Sequence, residues 1–525
     1  MCRQISGVFR KAATAVVSPP IPVHVNVTEL PEGNPLRTYE ELLRDRPGHD
    51  IFLFESPAGP VQDRRWAAVG WDRLAEVRLY AERVELIAGG ALGDRLAETV
   101  SAECGPPKEA YDGVRVWGVS RPEARWGLLS SLTGAFDVDT DLDAGTFAFG
   151  FLTVLSYEAA WDIEDIPQTQ QDADLPRCTL ALFRNTIWYD LQSGGVRLLS
   201  ASGPHLPEPD GGLPAAVSDV AAPVSEPSVP SKPSELSEPS SVPRAPAPLS
   251  VTDNLDEQTF TGRVEKCLRH IGVGDSYQIQ IGHRIDVVTE LTPLQVYLRL
   301  RHRNPSPYMY LVPWSGRTVI GASPELFFRI EGRRIVMRPI AGTAPRAADP
   351  DQDALRVAGL RASAKEQAEH VMLVDLCRND IGRVCVPGTL AVDAMMEVEP
   401  FTYVHHLVST VSGELDDGVG VWEAVRATFP AGTMTGAPKV RAMEIINEIE
   451  DDQRGAYAGA LGLIDVRGFA VLALCIRTTV HDGRAYSTQA SAGVVADSVP
   501  ADEWRETLAK MSATYWALTG EELLP

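Results

Sequence analysis

Two pairs of carboxylates repeat one spacing in this chain: Glu366 with Glu369, and Glu503 with Glu506. At i, i+3 on a helix, both members of a pair face one side. Two such faces converging on one cavity would build a hard, oxygen-rich site suited to Mg2+. Taken alone, each pair reads more readily as a solvated helix face than as a metal site. Two runs of small residues, 338–343 (RPIAGT) and 490–494 (ASAGV), could let backbone N–H groups approach an anion, or could be plain turns. The run 430–439 (PAGTMTGAPK) fails as a phosphate loop, because Gly432 and Gly436 are four apart and Lys439 does not follow the second glycine. His405 and His406 are adjacent, so on a strand they point to opposite faces and at most one enters a given site. No G-x-S-x-G or G-x-C-x-G elbow occurs, which argues against serine-hydrolase and glutaminase chemistry within the chain.

The elements that must position these residues are legible as patterns. Residues 363–376 read as a helix with Ala368, Val371, Met372 and Leu376 on one stripe, and 502–518 as a closing helix. Helices are also predicted at 256–271 and 438–450, and strands at 277–288, 308–312, 318–320, 326–329 and 334–339. A hairpin joins 458–465 to 469–479, and a second turns at Asp482-Gly483 into 486–495. Upstream, 39–46 reads as a helix, and 51–55, 146–156 and 180–190 as strands. Meandering strands with helices grouped around them predict an α+β fold of large, mainly antiparallel sheets with helices outside.

The chain has 525 residues, 48 Lys plus Arg against 71 Asp plus Glu, and a formal net charge of −23. So acidic a protein repels phosphates, which excludes nucleic acid and anionic membranes as partners. No apolar run approaches the ~18 residues of a membrane span. Seven scattered cysteines without a C-x-x-C pair argue against a zinc site or a disulfide framework, and for the cytoplasm. In 221–250, Pro and Ser supply 16 of 30 positions with no aromatic residue, the composition of an extended connector. The expected organisation is a disordered tail (1–20), an N-terminal α/β region (21–205), a linker (206–250) and a catalytic domain (251–525).

Together the C-terminal runs resemble the chorismate-utilising enzymes, most closely the ammonia-using large subunit of anthranilate synthase. The matching runs are 274–278 (GDSYQ), 304–309 (NPSPYM), 321–325 (GASPE), 339–343 (PIAGT), 368–384, 403–415, 429–450, 453–462, 476–478 (IRT) and 492–498, in the family's order. The N-terminal part matches mainly through 52–56 (FLFES). The resemblance implies Mg2+ held directly by Glu369 and Glu506, with Glu366 and Glu503 acting through water. It implies that Arg477 and Tyr457 grip the enolpyruvyl carboxylate, helped by backbone near Ala492 and Gly493, with Gly342 and Lys510 also at the substrate. His406 would lie beside the reacting ring, with Gln278, Thr343 and Glu325 lining the cavity.

Two positions sort the family by chemistry. Water-adding relatives carry a lysine base where this chain has Gln278, and an amide cannot deprotonate water. Relatives that use a nucleophilic lysine carry it where Ala341 stands. What remains is attack of ammonia at C2 of chorismate, giving 2-amino-2-deoxyisochorismate, then pyruvate elimination to anthranilate. Val471 and Ser491 depart from the anthranilate pattern, so an enzyme that stops at the first product is the rival reading. A catalytically inactive, ligand-binding regulatory relative is a third. The resemblance further implies a separate glutamine amidotransferase subunit supplying ammonia, and is compatible with a homo-oligomer. It also implies a feedback site for tryptophan at Glu55, Ser56, Asn304, Pro307, Tyr308 and Met309.

Overall fold

The computed structural model describes residues 19–119, 122–167, 172–209 and 242–524. Most of the expected tail and linker therefore lies outside the described residues. The remainder is the expected α+β architecture: a large, almost wholly antiparallel network of strands with helices around it. One parallel pairing, Ile21–Leu30 with Phe136–Asp139, interrupts that rule.

The network crosses from the N-terminal region to the C-terminal one at two places. Ile51–Glu55 pairs with Tyr308–Trp314, and Gly150–Leu155 pairs with Ala460–Asp465. Shared hydrophobic packing follows: one of three clusters among the described residues holds Phe52, Phe151 and Trp188 together with Phe328, Trp422 and Phe469, and a second joins Leu53 and Ile187 to Tyr297 and Leu311. The two regions share both their sheet and their core.

Several expectations need correction. The helix Ala364–Gly382 buries His370, Leu373, Val374, Cys377 and Ile381, whereas Ala368 and Val371 are exposed. Apolar residues occupy two neighbouring faces of this helix, which packs on the strands Ile340–Pro345 and Val404–Glu414. The strand expected from 146 begins only at Gly150, because the Asp465 carboxylate accepts the N–H groups of Ala148 (2.6 Å) and Phe149 (3.1 Å). The strand expected over 469–479 is two strands, Ala470–Leu474 and Thr478–His481. Between them Arg477 takes the left-handed conformation at φ 51°, so its side chain leaves the alternation of the sheet.

The last helix, Pro500–Thr519, starts on a proline with Asp502 and Glu503 in its first turn, and ends on Gly520 at φ 80°. It packs chiefly on the strand Tyr486–Val494. That strand pairs in turn with Gln278–Val288. This stack of helix on hairpin carries half of the candidate site. The helix Ala364–Gly382, capped by Ser363, carries the other half.

Candidate active site

The carboxylate pairs face one another from these two helices. Burial raises the Glu369 carboxyl above its usual range, Lys365 opposes the shift, and Glu366, Glu506 and Glu503 add to it. Glu503 is raised as well, again chiefly by burial, with Ser498 opposing and Glu506 adding. Lys510 Nζ lies 2.6 Å from Glu506, and Lys365 Nζ lies 3.9 Å from Glu369. Glu503 Oε2 is buried with no hydrogen-bond partner among the described residues. No three metal-ligating side chains are drawn into a cluster among the described residues. The donor set nonetheless fits a hard divalent cation: four carboxylates repel one another across the cavity, and one buried oxygen lacks a partner.

The second wall is the pairing of Ile340–Pro345 with Val404–Glu414. His406 Nδ1 lies 2.9 Å from the Gly342 carbonyl and 3.1 Å from Thr343 Oγ1. A carbonyl only accepts, so Nδ1 carries the proton and Nε2 is left with a lone pair. Burial holds this imidazole neutral, lowering its pKa to about 4; the bond to Gly342 opposes, while Arg477, His405 and Lys510 add. His405 points away and meets Asp353 at 3.0 Å, so only one histidine of the pair enters the site. Gly342 sits at φ 65°, and a Cβ there would lie 3.0 Å from Glu366 Oε2. Glu325 is buried behind this wall, and burial pushes its carboxyl up to about 8, with only partial opposition from hydrogen bonds and Lys510. That shift keeps Glu325 mostly protonated at pH 7.

The third wall is cationic and lined with small residues. Arg477 donates to the carbonyls of Ala509 (3.5 Å) and Lys510, and forms no ion pair among the described residues. Lys510 Nζ also donates to the Ser491 carbonyl at 2.8 Å. Tyr457 OH donates to Ser491 Oγ at 2.8 Å, and burial raises the phenol so that it keeps its proton. Ala492 is fully buried. A Cβ on Gly493 would lie 2.7 Å from Gln278 Nε2, while Gln278 Oε1 is buried without a partner. All fourteen residues expected at the catalytic, substrate and metal positions thus lie on these three walls or directly behind them.

A supporting pair escaped the sequence reading. Arg454 and Glu450 form a buried bridge at 2.8 Å, and Arg454 also donates to the carbonyls of Met434 (2.8 Å) and Gln280 (2.9 Å). Glu158, from the N-terminal region, accepts the N–H of Arg454 at 2.8 Å. Together they fix the loop that presents Tyr457. The i, i+4 spacing of Glu450 and Arg454 was the available signal.

The positions expected to hold tryptophan divide. Glu55, Pro307, Tyr308 and Met309 line one cavity of about 50 Å3 with Phe54, Trp66 and Trp188; Ser56 and Asn304 do not line it. The Glu55 carboxylate already accepts from Tyr297 OH (2.5 Å) and Arg301 (2.9 and 3.2 Å), and Tyr308 OH donates to Asp63 at 2.9 Å.

Known proteins resemble this chain in sequence and in fold. Residues 115–515 match the chorismate binding enzyme family. The chain is 45% identical over 512 residues to the 2-amino-4-deoxychorismate synthase of Streptomyces globisporus, covering 97% of this chain and 99% of that protein. It is 42% identical over 379 residues to anthranilate synthase component 1 of Streptomyces coelicolor, covering 72% of this chain and 74% of the other. The crystal structure of anthranilate synthase component I from Streptococcus pneumoniae superposes with a TM-score of 0.62 at 27% identity, over 86% of this chain and 92% of that one. The chain belongs to the chorismate-binding enzyme family, and it is an enzyme acting on chorismate. Among the described residues no helix is long and apolar enough to cross a membrane.

Proposed function

We propose that this protein aminates chorismate at C2 with ammonia, expels the C4 hydroxyl as water, and releases the product with its enolpyruvyl group retained. That product, 2-amino-2-deoxyisochorismate, has the same constitution as 2-amino-4-deoxychorismate: nitrogen at C2, no oxygen at C4. The observation that carries the reading is the similarity along 97% of the chain to a relative named for that compound. Gln278 and Ala341 support it, since neither can act as the base or nucleophile of the water-adding and lysine-dependent reactions.

The residues divide the work by charge. Arg477 binds the enolpyruvyl carboxylate, beside Tyr457, whose phenol proton is engaged by Ser491. Glu369 and Glu506 would hold Mg2+, backed by Glu366 and Glu503. When bound, that ion offsets the charge between these glutamates and the ring carboxylate of the substrate. Glu325, neutral at pH 7, supplies the proton that the departing C4 hydroxyl needs. His406, neutral with Nε2 as acceptor, takes a proton from the attacking nitrogen. Ammonia comes from a separate amidotransferase, because the chain carries no nucleophile elbow.

The first expectation from sequence, anthranilate, stands as the second reading, favoured by the 42% identity to an anthranilate synthase component. Purified protein incubated with chorismate, Mg2+ and an ammonium salt separates the two by liquid chromatography with mass detection. The proposed reading expects an aminated product that retains the enolpyruvyl group, without stoichiometric pyruvate. Anthranilate and pyruvate in equal amounts would replace it with the second.

A further inference from the structure

Ser491 and Gly282 stand directly opposite each other where Tyr486–Val494 pairs with Gln278–Val288. A Cβ on Gly282 would lie 2.6 Å from Ser491 Oγ and 2.4 Å from the Ala490 carbonyl, so the serine hydroxyl occupies room that only glycine leaves. Ser491 is 2% exposed, and its Oγ receives the Tyr457 O–H at 2.8 Å. A phenol has one proton to donate. Spent on Ser491, it is not available to a ligand held by Arg477.

Elimination of pyruvate from the aminated product breaks the C3–O bond and removes the C2 proton. The enolpyruvate that leaves gains a full negative charge, then takes a proton on its methylene carbon to become pyruvate, so atoms and charge balance without another reactant. A donor aimed at that departing group stabilises the transition state more than the ground state, where the oxygen is still an ether. Binding of the carboxylate is served in both states by Arg477.

We infer that Ser491, seated by Gly282, decides which product leaves: it engages the Tyr457 proton, withholds it from the departing enolpyruvate, and so ends the reaction after amination. Ser491 acts through Tyr457 and is a positioning residue. The inference rests on the reading proposed above, and adds the residue that sets the product.

The test is the ratio of pyruvate released to chorismate aminated, measured for the wild type, Ser491→Ala and the double variant S491A/Y457F, each with Mg2+ and ammonium. The wild type is expected to release almost no pyruvate. Ser491→Ala should raise the ratio at least about tenfold, in keeping with the value of one transition-state donor, with the KM for chorismate little changed. Adding Tyr457→Phe should return the ratio to the wild-type level. A purely structural role for Ser491 would lower total amination and leave the ratio alone. Should Ser491→Ala fail to fold by circular dichroism, Ser491→Cys, whose thiol is a weak acceptor, replaces it with the same expectation. A ratio within twofold of wild type in the folded variant, or an increase that survives Tyr457→Phe, overturns the inference. Stoichiometric pyruvate from the wild type overturns the parent reading, and this inference with it.

Discussion

Two sets of carboxylates in this molecule are treated in opposite ways. Near the crossing of the two regions, Glu55 is matched by Arg301 at 2.9 Å, while Asp63 and Glu399 share Arg338, which lies 2.6 Å from Glu399. Every one of these acids meets a planar guanidinium with several donors in fixed directions. Across the catalytic cavity Glu366, Glu369, Glu503 and Glu506 meet one another instead, with two lysines on flexible stems as their only ion-pair partners among the described residues. The acids near the crossing each find a guanidinium within the chain, although Glu399 Oε2 is buried without a partner. The four acids of the candidate site are left short of positive charge, and under the proposed function a cation and substrate would supply the difference.

Neutralising one acid of each set should have opposite consequences. Glu369→Gln is expected to cost at least about 10^3-fold in turnover, while easing repulsion and leaving the thermal midpoint equal or higher. A steady-state assay beside a melting curve reads both. Asp63→Asn should do the reverse, costing about 1–3 kcal/mol in a urea titration because the buried Arg338 loses one of its two carboxylate partners, while folded protein keeps its kcat. If Asp63→Asn lost turnover at unchanged stability, the division between the two sets would collapse.

Glu325 belongs to neither set, and pH distinguishes it. Under the proposed function its acid form is the active one, and burial pushes its carboxyl up to about 8, so kcat/KM for chorismate should fall as pH rises through that value at saturating free ammonia. His406 stays neutral down to about 4 and adds no limb between those values. Glu325→Gln should lower turnover by about 10^2-fold and abolish the alkaline limb. The smallest effect is expected at the Glu55 cavity. Tryptophan should give no heat in a calorimetric titration and no inhibition, because Tyr297 and Arg301 already occupy the Glu55 carboxylate. Saturable binding would move Glu55 to the functional set.

Much of this was legible in sequence because it is local. Helix periodicity placed Glu366 with Glu369 and Glu503 with Glu506, and strand alternation separated His405 from His406. The family's motifs brought distant walls together. What stayed hidden depends on contacts between remote segments. Burial of Glu325 decides its protonation, yet nothing within a few residues of it signals that burial. The left-handed turn at Arg477 breaks a stretch whose composition reads as one strand. The bond from Tyr457 to Ser491 spans 34 positions, and depends on a glycine on a third strand.

The pairing of Gly150–Leu155 with Ala460–Asp465 also sets a timetable for synthesis. At about 5–20 residues per second, a ribosome needs roughly 15–60 s to travel from residue 155 to residue 460. Until then one edge of a fully buried apolar strand stands open, although its other edge can already pair with Cys178–Asp190. An open apolar edge is a template for pairing with the wrong chain. Yield of soluble protein should therefore respond to translation speed and to chaperone supply more than the finished fold would suggest.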